Sequence, residues 1–366
     1  MAYTDIDDPT AYFQTKIYTG DGNDNRSITF DGNSNLAVNF LWFKNRGATA
    51  WHNLYDSVRG ANKALASNAT NAEESRSDTL DSFNSNGFTV GNDTSQNPDG
   101  LNTNANGNTY VTWGWKAGTS FTNDASATGI GSIDSAGSVN NDAGFSIVSW
   151  TGTGSAGTIK HGLNSVPSMI IIKNRSSAYD WTVGHNSLGW TNVVFLNLTT
   201  ASQGDTQFNN TAPTSSVFSI GTPLMANKSG DSIIAYCFAE KQGYSKFSSY
   251  IGNGNADGTF VYTGFKPAFV IAKESSEARD WQLWDNKRLG YNASGGNKNL
   301  IPNKTDAEDT YADIDILSNG FKLRNNSAAD NKVSQTYIYM AFAENPFTTS
   351  TGVPATARWL CSYLLT

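Results

Sequence analysis

The chain has 366 residues, which suggests two or three domains rather than one core. Only 16% of the residues are charged, the net charge is −7, and aromatics reach 12%. No Lys/Arg cluster marks a nucleic-acid binder, the aromatics argue against disorder, and no apolar run approaches the ~18 residues of a membrane span.

The opening MAYTDIDDPTAYF is acidic and has no apolar stretch, so residues 1–12 read as an N-terminal arm, not a signal peptide, and synthesis in a cytoplasm is expected. A first β-rich unit is expected over 13–118, with KIYTGDGNDN (16–25), LWFKNRGATAW (41–51) and YVTWGWKAG (110–118) as its landmarks. Within it, NLYDSVRGANKALASN (53–68) reads as a loop with at most one helical turn. Residues 119–143 are poor in large apolar side chains and read as a linker, or, from Ile130, Ile133 and Val139, as a hairpin bridging domains. A second unit spans 144–241. Its short apolar runs at 145–150, 168–173, 179–184, 192–198, 216–220 and 231–239 have the spacing of an antiparallel sandwich. A third unit spans 242–347 and follows almost without a linker, which predicts rigid attachment. KTDAEDTYADI (304–314) is its one helix candidate. The tail 348–366 carries Trp359, Leu360, Tyr363, Leu364 and Leu365 together, a composition that asks for a docking surface on its own domain or on a neighbouring subunit.

These units repeat one another. IIIKNRSSAYDW (170–181) returns as VIAKESSEARDW (270–281), with Lys173 over Lys273, Asp180 over Asp280 and Trp181 over Trp281; Lys44 and Trp51 stand for them in the first unit. Upstream, Gly152 and Gly154 match Gly252 and Gly254, and also Gly20 and Gly22. Downstream, IIAYCFAEK (233–241) matches YIYMAFAEN (337–345). The fold class is therefore all-β: three tandem antiparallel β-sandwich-like repeats with short N- and C-terminal extensions, which either display their loops along a stiff rod or gather into a compact cluster. The repeated Trp is expected to cover the Lys stem and to bond its indole N–H to a carbonyl. The copies differ where chemistry would demand identity: Asp180 and Asp280 fall over Ala50, and Arg46 and Arg175 over Ser275. This lowers an enzymatic reading.

No catalytic, cofactor or metal residues are assigned. His52, His161 and His185 lack metal-ligand spacing, Cys237 reads as a buried reduced thiol, and the Gly-x-Gly steps lack the rest of a dinucleotide fingerprint. Asp21, Asp24, Asn253, Asn255 and Asp257 offer oxygens suited to Ca²⁺, but the second copy has no carboxylate there, which favours solvated turns. Candidate ligand contacts are the aromatics Trp51, Trp190, Trp284 and Tyr291, provided that they stand exposed in a groove.

The stretch GFSIVSWTGTGSAGTIKHGLNSVPSMIIIKNR (144–175), the opening IDDPTAYFQTKIYTGDG (6–22) and FAENPF (342–347) resemble a family of marine bacteriophage virion proteins, tail-fibre-like or structural. The resemblance covers nearly the whole chain and implies a β-rich, non-enzymatic particle component without cofactors. Its expected partners are other virion proteins and copies of itself, with a host-surface glycan as a possible ligand. A carbohydrate- or receptor-binding module is the rival reading, and a glycosidase-like depolymerase with two facing carboxylates ranks third.

Overall fold

The computed structural model of the chain describes residues 3–92, 102–288, 292, 298–310 and 314–355. Four strands form the centre of each repeat. In the first they are β1 (Phe13–Thr19), β2 (Phe40–Asn45), β3 (His52–Asp56) and β4 (Thr109–Trp115). In the second they are β5 (Phe145–Thr151), β6 (Met169–Asn174), β7 (Thr182–His185) and β8 (Ser232–Phe238). In the third they are β9 (Ser245–Ile251), β10 (Phe265–Glu274), β11 (Trp281–Asp285) and β12 (Thr336–Pro346). The spatial order is the same each time, β1-β4-β2-β3, β5-β8-β6-β7 and β9-β12-β10-β11, and every pairing is antiparallel. The fold is all-β, and helix among the described residues is confined to single turns such as Ala125–Thr128 and Leu224–Asn227.

The second strand of each repeat is apolar on both faces because each face meets a different core. Leu41 and Phe43, Ile170 and Ile172, and Val270 and Ala272 point outward, each into its own repeat's sandwich beneath a smaller sheet. Phe40 and Trp42, Met169 and Ile171, and Phe269 and Ile271 point the other way, into one core shared by all three repeats. Successive side chains alternate in direction, so a strand with two buried faces reads as an unbroken apolar run. Rings cross between repeats in the shared core: Phe40 stacks on Tyr236 at 4.3 Å between centroids, Phe13 on Phe342 at 5.3 Å, and Phe238 meets Phe342 edge-on at 5.9 Å. The repeats thus close around a common centre. Of the rod and the compact cluster, the cluster forms, as a ring, because the large sheets carry too much apolar surface on their inner faces to stand apart.

Two local expectations change, and one is decided between alternatives. Residues 53–68 hold β3 and the strand Gly60–Ala66, not a loop. Asp56 turns the chain by accepting bonds from the Val58 and Arg59 N–H groups at 3.0 and 2.9 Å, and Gly60 takes φ +100°. Of the two readings of 119–143, the hairpin is present, Thr119–Asn123 with Ser135–Asn140, and it pairs with β5 to widen the second repeat's sheet. Residues 304–310 are not helical; they lie against the first repeat, where Thr305 and Glu308 make the contacts given below. The N-terminal arm is docked too, with Ile6 in the shared core and Thr4 bonded to the Gln242 carbonyl between repeats two and three.

Candidate functional site

Lys44, Lys173 and Lys273 are the most chemically suggestive repeated groups, and each closes a seam. Lys173 Nζ in the second repeat donates to the Thr70 carbonyl of the first at 3.0 Å. Lys44 in the first donates to Thr305 of the third at 2.8 Å, and Lys273 in the third to Thr199 of the second at 3.2 Å. The direction is the same each time, so three head-to-tail contacts close a ring. Burial lowers Lys44 and Lys273 to about 8 and Lys173 to about 7. Such values would suit a nucleophile or base, but each ammonium is fully buried and also bonded to a second carbonyl, those of Ala50, Asn174 and Glu274. These lysines fasten repeats together.

The indole of Trp181 donates to the Ala66 carbonyl of the first repeat at 2.8 Å, and that of Trp281 to the Phe195 carbonyl of the second at 2.9 Å. Trp51 does not share this role. The register sets His52 opposite Lys44 as it sets Trp281 opposite Lys273, so His52 takes the tryptophan's place and Trp51, not Ala50, is the counterpart of Asp280. The His52 ring accepts the Trp42 indole N–H at Nδ1 and lies beside the Ile301 backbone of the third repeat.

The other histidines are also structural. Leu163 N–H donates to His161 Nδ1 and Ser187 N–H to His185 Nδ1, leaving Nε2–H of each to donate to the Thr214 and Tyr339 carbonyls. Burial lowers both to about 4. Cys237 is fully buried, and burial pushes its thiol well above the ordinary range, which makes it inert. No group of three or more His, Cys, Asp or Glu residues suited to a metal occurs among the described residues.

Among the described residues the expected aromatic platform is not assembled. Trp284 is 1% exposed inside the third sandwich, and Trp190 is 9% exposed with its ring edge-on to Phe208. Trp51 is half-buried against the first sandwich. Large rings dominate these cores because they bury the most apolar area per residue. Tyr291 lies outside the described residues, as do Trp359, Leu360, Tyr363, Leu364 and Leu365. Exposed rings stand elsewhere: Phe260 and Tyr262 on a short strand of the third repeat's outer sheet, Tyr3 in the N-terminal arm, and Phe347 just after β12.

The Gly-x-Gly turns show a partner that sequence reading missed. A Cβ on Gly20, Gly152 or Gly252 would meet a backbone oxygen at 2.2, 2.1 or 2.3 Å, that of Ala105, Lys228 or Lys332. The residue before each of these, Asn104, Asn227 or Asn331, is fully buried; its carboxamide bonds the turn, and its carbonyl accepts from the second glycine's N–H. The recurrence of Asn with a downstream strand was visible in principle, but was hidden among many other asparagines. Asp21 bonds Asn23 and Asn104 and pairs with Arg26, while Asp257 pairs with Lys322. The calcium reading is not needed to explain either.

One cleft of about 180 Å³ lies on the seam of repeats one and three. Its walls are β1 with the turn at 31–33 on one side, and the start of β10, the turn after β11 and the end of β12 on the other. The third repeat extends β10 and β12 beyond their counterparts, with register shifts between Lys266 and Phe269 that leave Ala268 unpaired. Ala268, Ala343 and Phe13 make the apolar part of the lining. Gln14 holds the opposite wall fixed, accepting the Gly32 N–H at 2.7 Å and donating to the Thr10 and Ser34 carbonyls at 2.8 Å. Thr15 Oγ1 and Asn286 Oδ1, both on lining residues, are buried without hydrogen-bond partners. Asp31 and Glu344 also line the cleft, but each is engaged by a lysine, Lys16 at 3.0 Å and Lys266 at 2.8 Å.

The chain belongs to the DUF7483 family, a domain of unknown function whose profile matches residues 8–346. No curated protein matches the chain.

Proposed function

We propose that the protein is a non-enzymatic structural component of a bacteriophage particle, a tail-fibre-like appendage or a surface decoration, contacting other virion proteins and copies of itself. The observation that carries this reading is the ring itself. The groups whose chemistry could serve catalysis, Lys44, Lys173, Lys273, His161 and His185, spend their donors on backbone carbonyls, and each of them except His161 makes one such bond to another repeat. Such an arrangement favours a rigid block over a reacting centre. The resemblance of residues 144–175 to virion proteins supports the same reading, and fold alone would not.

The test is quantitative proteomics of gradient-purified particles, followed by image averaging to locate the chain. A stoichiometric, symmetrically placed signal is expected. Absence of the chain from the particles overturns the reading, and cleavage of a polysaccharide by the pure protein would replace it with the depolymerase.

A further inference from the structure

We propose that residues 356–366 of this chain dock in cis on the outer sheet of the third repeat, along the strand Phe260–Tyr262. The segment lies outside the described residues and carries Trp359, Leu360, Tyr363, Leu364 and Leu365. Its composition asks for a surface on its own domain or on a neighbouring subunit, and the geometry favours the first. The inference holds whether or not the chain is part of a particle.

Comparison of the three repeats marks the surface. The strand Phe260–Tyr262 is an edge of the third repeat's outer sheet, with Val261 opposite Phe321. The same register sets Ile28 opposite Phe88 in the first repeat and Ile159 opposite Phe218 in the second, so these three positions correspond. Side chains alternate along a strand, so the residues flanking each of them face outward. They are Ser27 and Thr29 in the first repeat, and Thr158 and Lys160 in the second. In the third they are Phe260 and Tyr262, 45% and 59% exposed. Polar side chains at these positions suit solvent, whereas two rings suit a cover. The second repeat shows how a cover is built. Ile133, in the turn between Thr119–Asn123 and Ser135–Asn140, lies parallel to Ile159, and the Ser132 and Ile133 N–H groups donate to the Thr158 carbonyl at 2.9 and 3.1 Å. Among the described residues no strand pairs with the equivalent edge of the third repeat.

The occupant follows from where the described chain leads. After β12 the chain folds back in a tight hairpin, in which Thr349 N–H donates to the Val353 carbonyl at 2.9 Å and Ala355 N–H to the Phe347 carbonyl at 3.2 Å. Asp7 of the N-terminal arm pins this hairpin by accepting from the Ser350 N–H and hydroxyl at 2.7 and 2.6 Å. Phe347 N–H in turn donates to the Gly264 carbonyl at 3.2 Å, and a Cβ added to Gly264 would meet the Tyr262 hydroxyl at 3.6 Å. Ala355 is therefore delivered beside the exposed rings of Phe347 and Tyr262. It also lines a cavity of about 290 Å³ walled by Ser318, Pro346 and Phe347. Four further residues reach at most about 14 Å, enough to lay Trp359 against Tyr262. A tether this short gives an effective concentration on the order of millimolar, which a second copy must exceed to compete.

The experiment is maleimide labelling of the folded full chain. Of its two cysteines Cys237 is fully buried, so the reaction reports on Cys361 alone. Cys361 should react about tenfold faster in the double variant Phe260→Ser with Tyr262→Ser than in the unaltered chain. The melting temperature should hold, because both rings are exposed. Trp359→Ser, outside the described fold, should speed labelling in the same way, and it decides alone if the double variant melts early. Protection in the unaltered chain should stay constant over about a hundredfold range of protein concentration. Equal labelling rates in the unaltered chain and the folded double variant would overturn the proposal. Protection that grows with concentration would also overturn it, by assigning the surface to a second copy.

Discussion

The Tyr236 hydroxyl in the second repeat donates to the Asp56 carboxylate in the first at 2.7 Å. At the next seam the Trp113 indole of the first repeat donates to Asp285 of the third at 3.1 Å. Both aspartates are fully buried against an arginine three residues on, Arg59 and Arg288. At the last seam the equivalents are Met340, which has no donor, and His185 with Leu188, which have neither carboxylate nor guanidinium. Donor, acid and base are lost together. An unpaired buried charge costs several kcal/mol, so these groups are kept or discarded as a set.

Asp56→Asn leaves the Arg59 charge buried with only Glu73, at 3.2 Å, to answer it. It should destabilise the fold by about 3 kcal/mol. Tyr236→Phe removes the bond donated to Asp56 and the longer one accepted from Arg59 at 3.4 Å but leaves the ion pair in place, so its cost should be about 1 kcal/mol. Urea unfolding of the two variants checks the ratio. Equal losses would mean that the arginine is not held by Asp56.

Stability should peak at mildly alkaline pH. Burial lowers Lys44, Lys173 and Lys273 to about 8, 7 and 8, whereas an unfolded Lys titrates near about 10.4. Between about pH 7 and 10 the unfolded chain therefore binds more protons, and stability rises with pH. His161 and His185, lowered to about 4, act with the same sign below about pH 6.5, so stability drops as pH falls toward 4. Burial raises Tyr236, Tyr244 and Tyr250 well above their usual value, and the stability they confer is lost as pH climbs past about 10. The melting temperature should be highest between about pH 8 and 10, and Lys173→Met should flatten the rise from about pH 7. A maximum near pH 6 would contradict the burial of these lysines.

The first glycine of each Gly-x-Gly step is required by a close approach. In Gly152→Ala the new Cβ would lie 2.1 Å from the Lys228 carbonyl oxygen, so backbone must move. A loss above about 2 kcal/mol is expected. Gly47→Ala is the control: its Cβ would meet nothing closer than the Thr109 hydroxyl at 3.6 Å, and its change should stay within about 0.5 kcal/mol. Thermal unfolding of both variants gives the comparison, and similar losses would refute the close-approach reading.

The repeat and most strands were legible because they are written in side chains. The six runs read in the second repeat each overlap a strand, since two-faced burial demands continuous apolar residues there. Ring closure was not legible. Its acceptors are the backbone carbonyls of Thr70, Thr199 and Thr305, and any residue type supplies a carbonyl. The exchange of His52 for tryptophan was hidden because the adjacent Trp51 offered a false match one position away. Trp190 and Trp284 could not be sorted from surface rings by type alone, as aromatic residues serve cores and binding faces equally. The cleft depends on a register shift at Ala268, which leaves no mark in composition.

The strongest test of the ring is to restore what one seam lacks. Arg46 pairs with Glu308 through two bonds of 2.9 and 2.8 Å, and Arg175 pairs with Glu73 at 2.8 and 3.0 Å. At both seams the glutamate N–H also donates to the arginine carbonyl, at 2.9 and 2.8 Å. At the third seam the same backbone bond, from the Ser202 N–H to the Ser275 carbonyl at 2.8 Å, joins two serines. Ser275→Arg with Ser202→Glu should rebuild the bidentate pair. Each single change should be neutral or mildly destabilising, since Ser275→Arg also gives up the hydroxyl bond to the Thr336 carbonyl at 2.9 Å. The pair should show a favourable coupling of roughly 1 kcal/mol in a double-mutant cycle, diminished by salt. Simple additivity would mean that the third seam does not share the geometry of the other two.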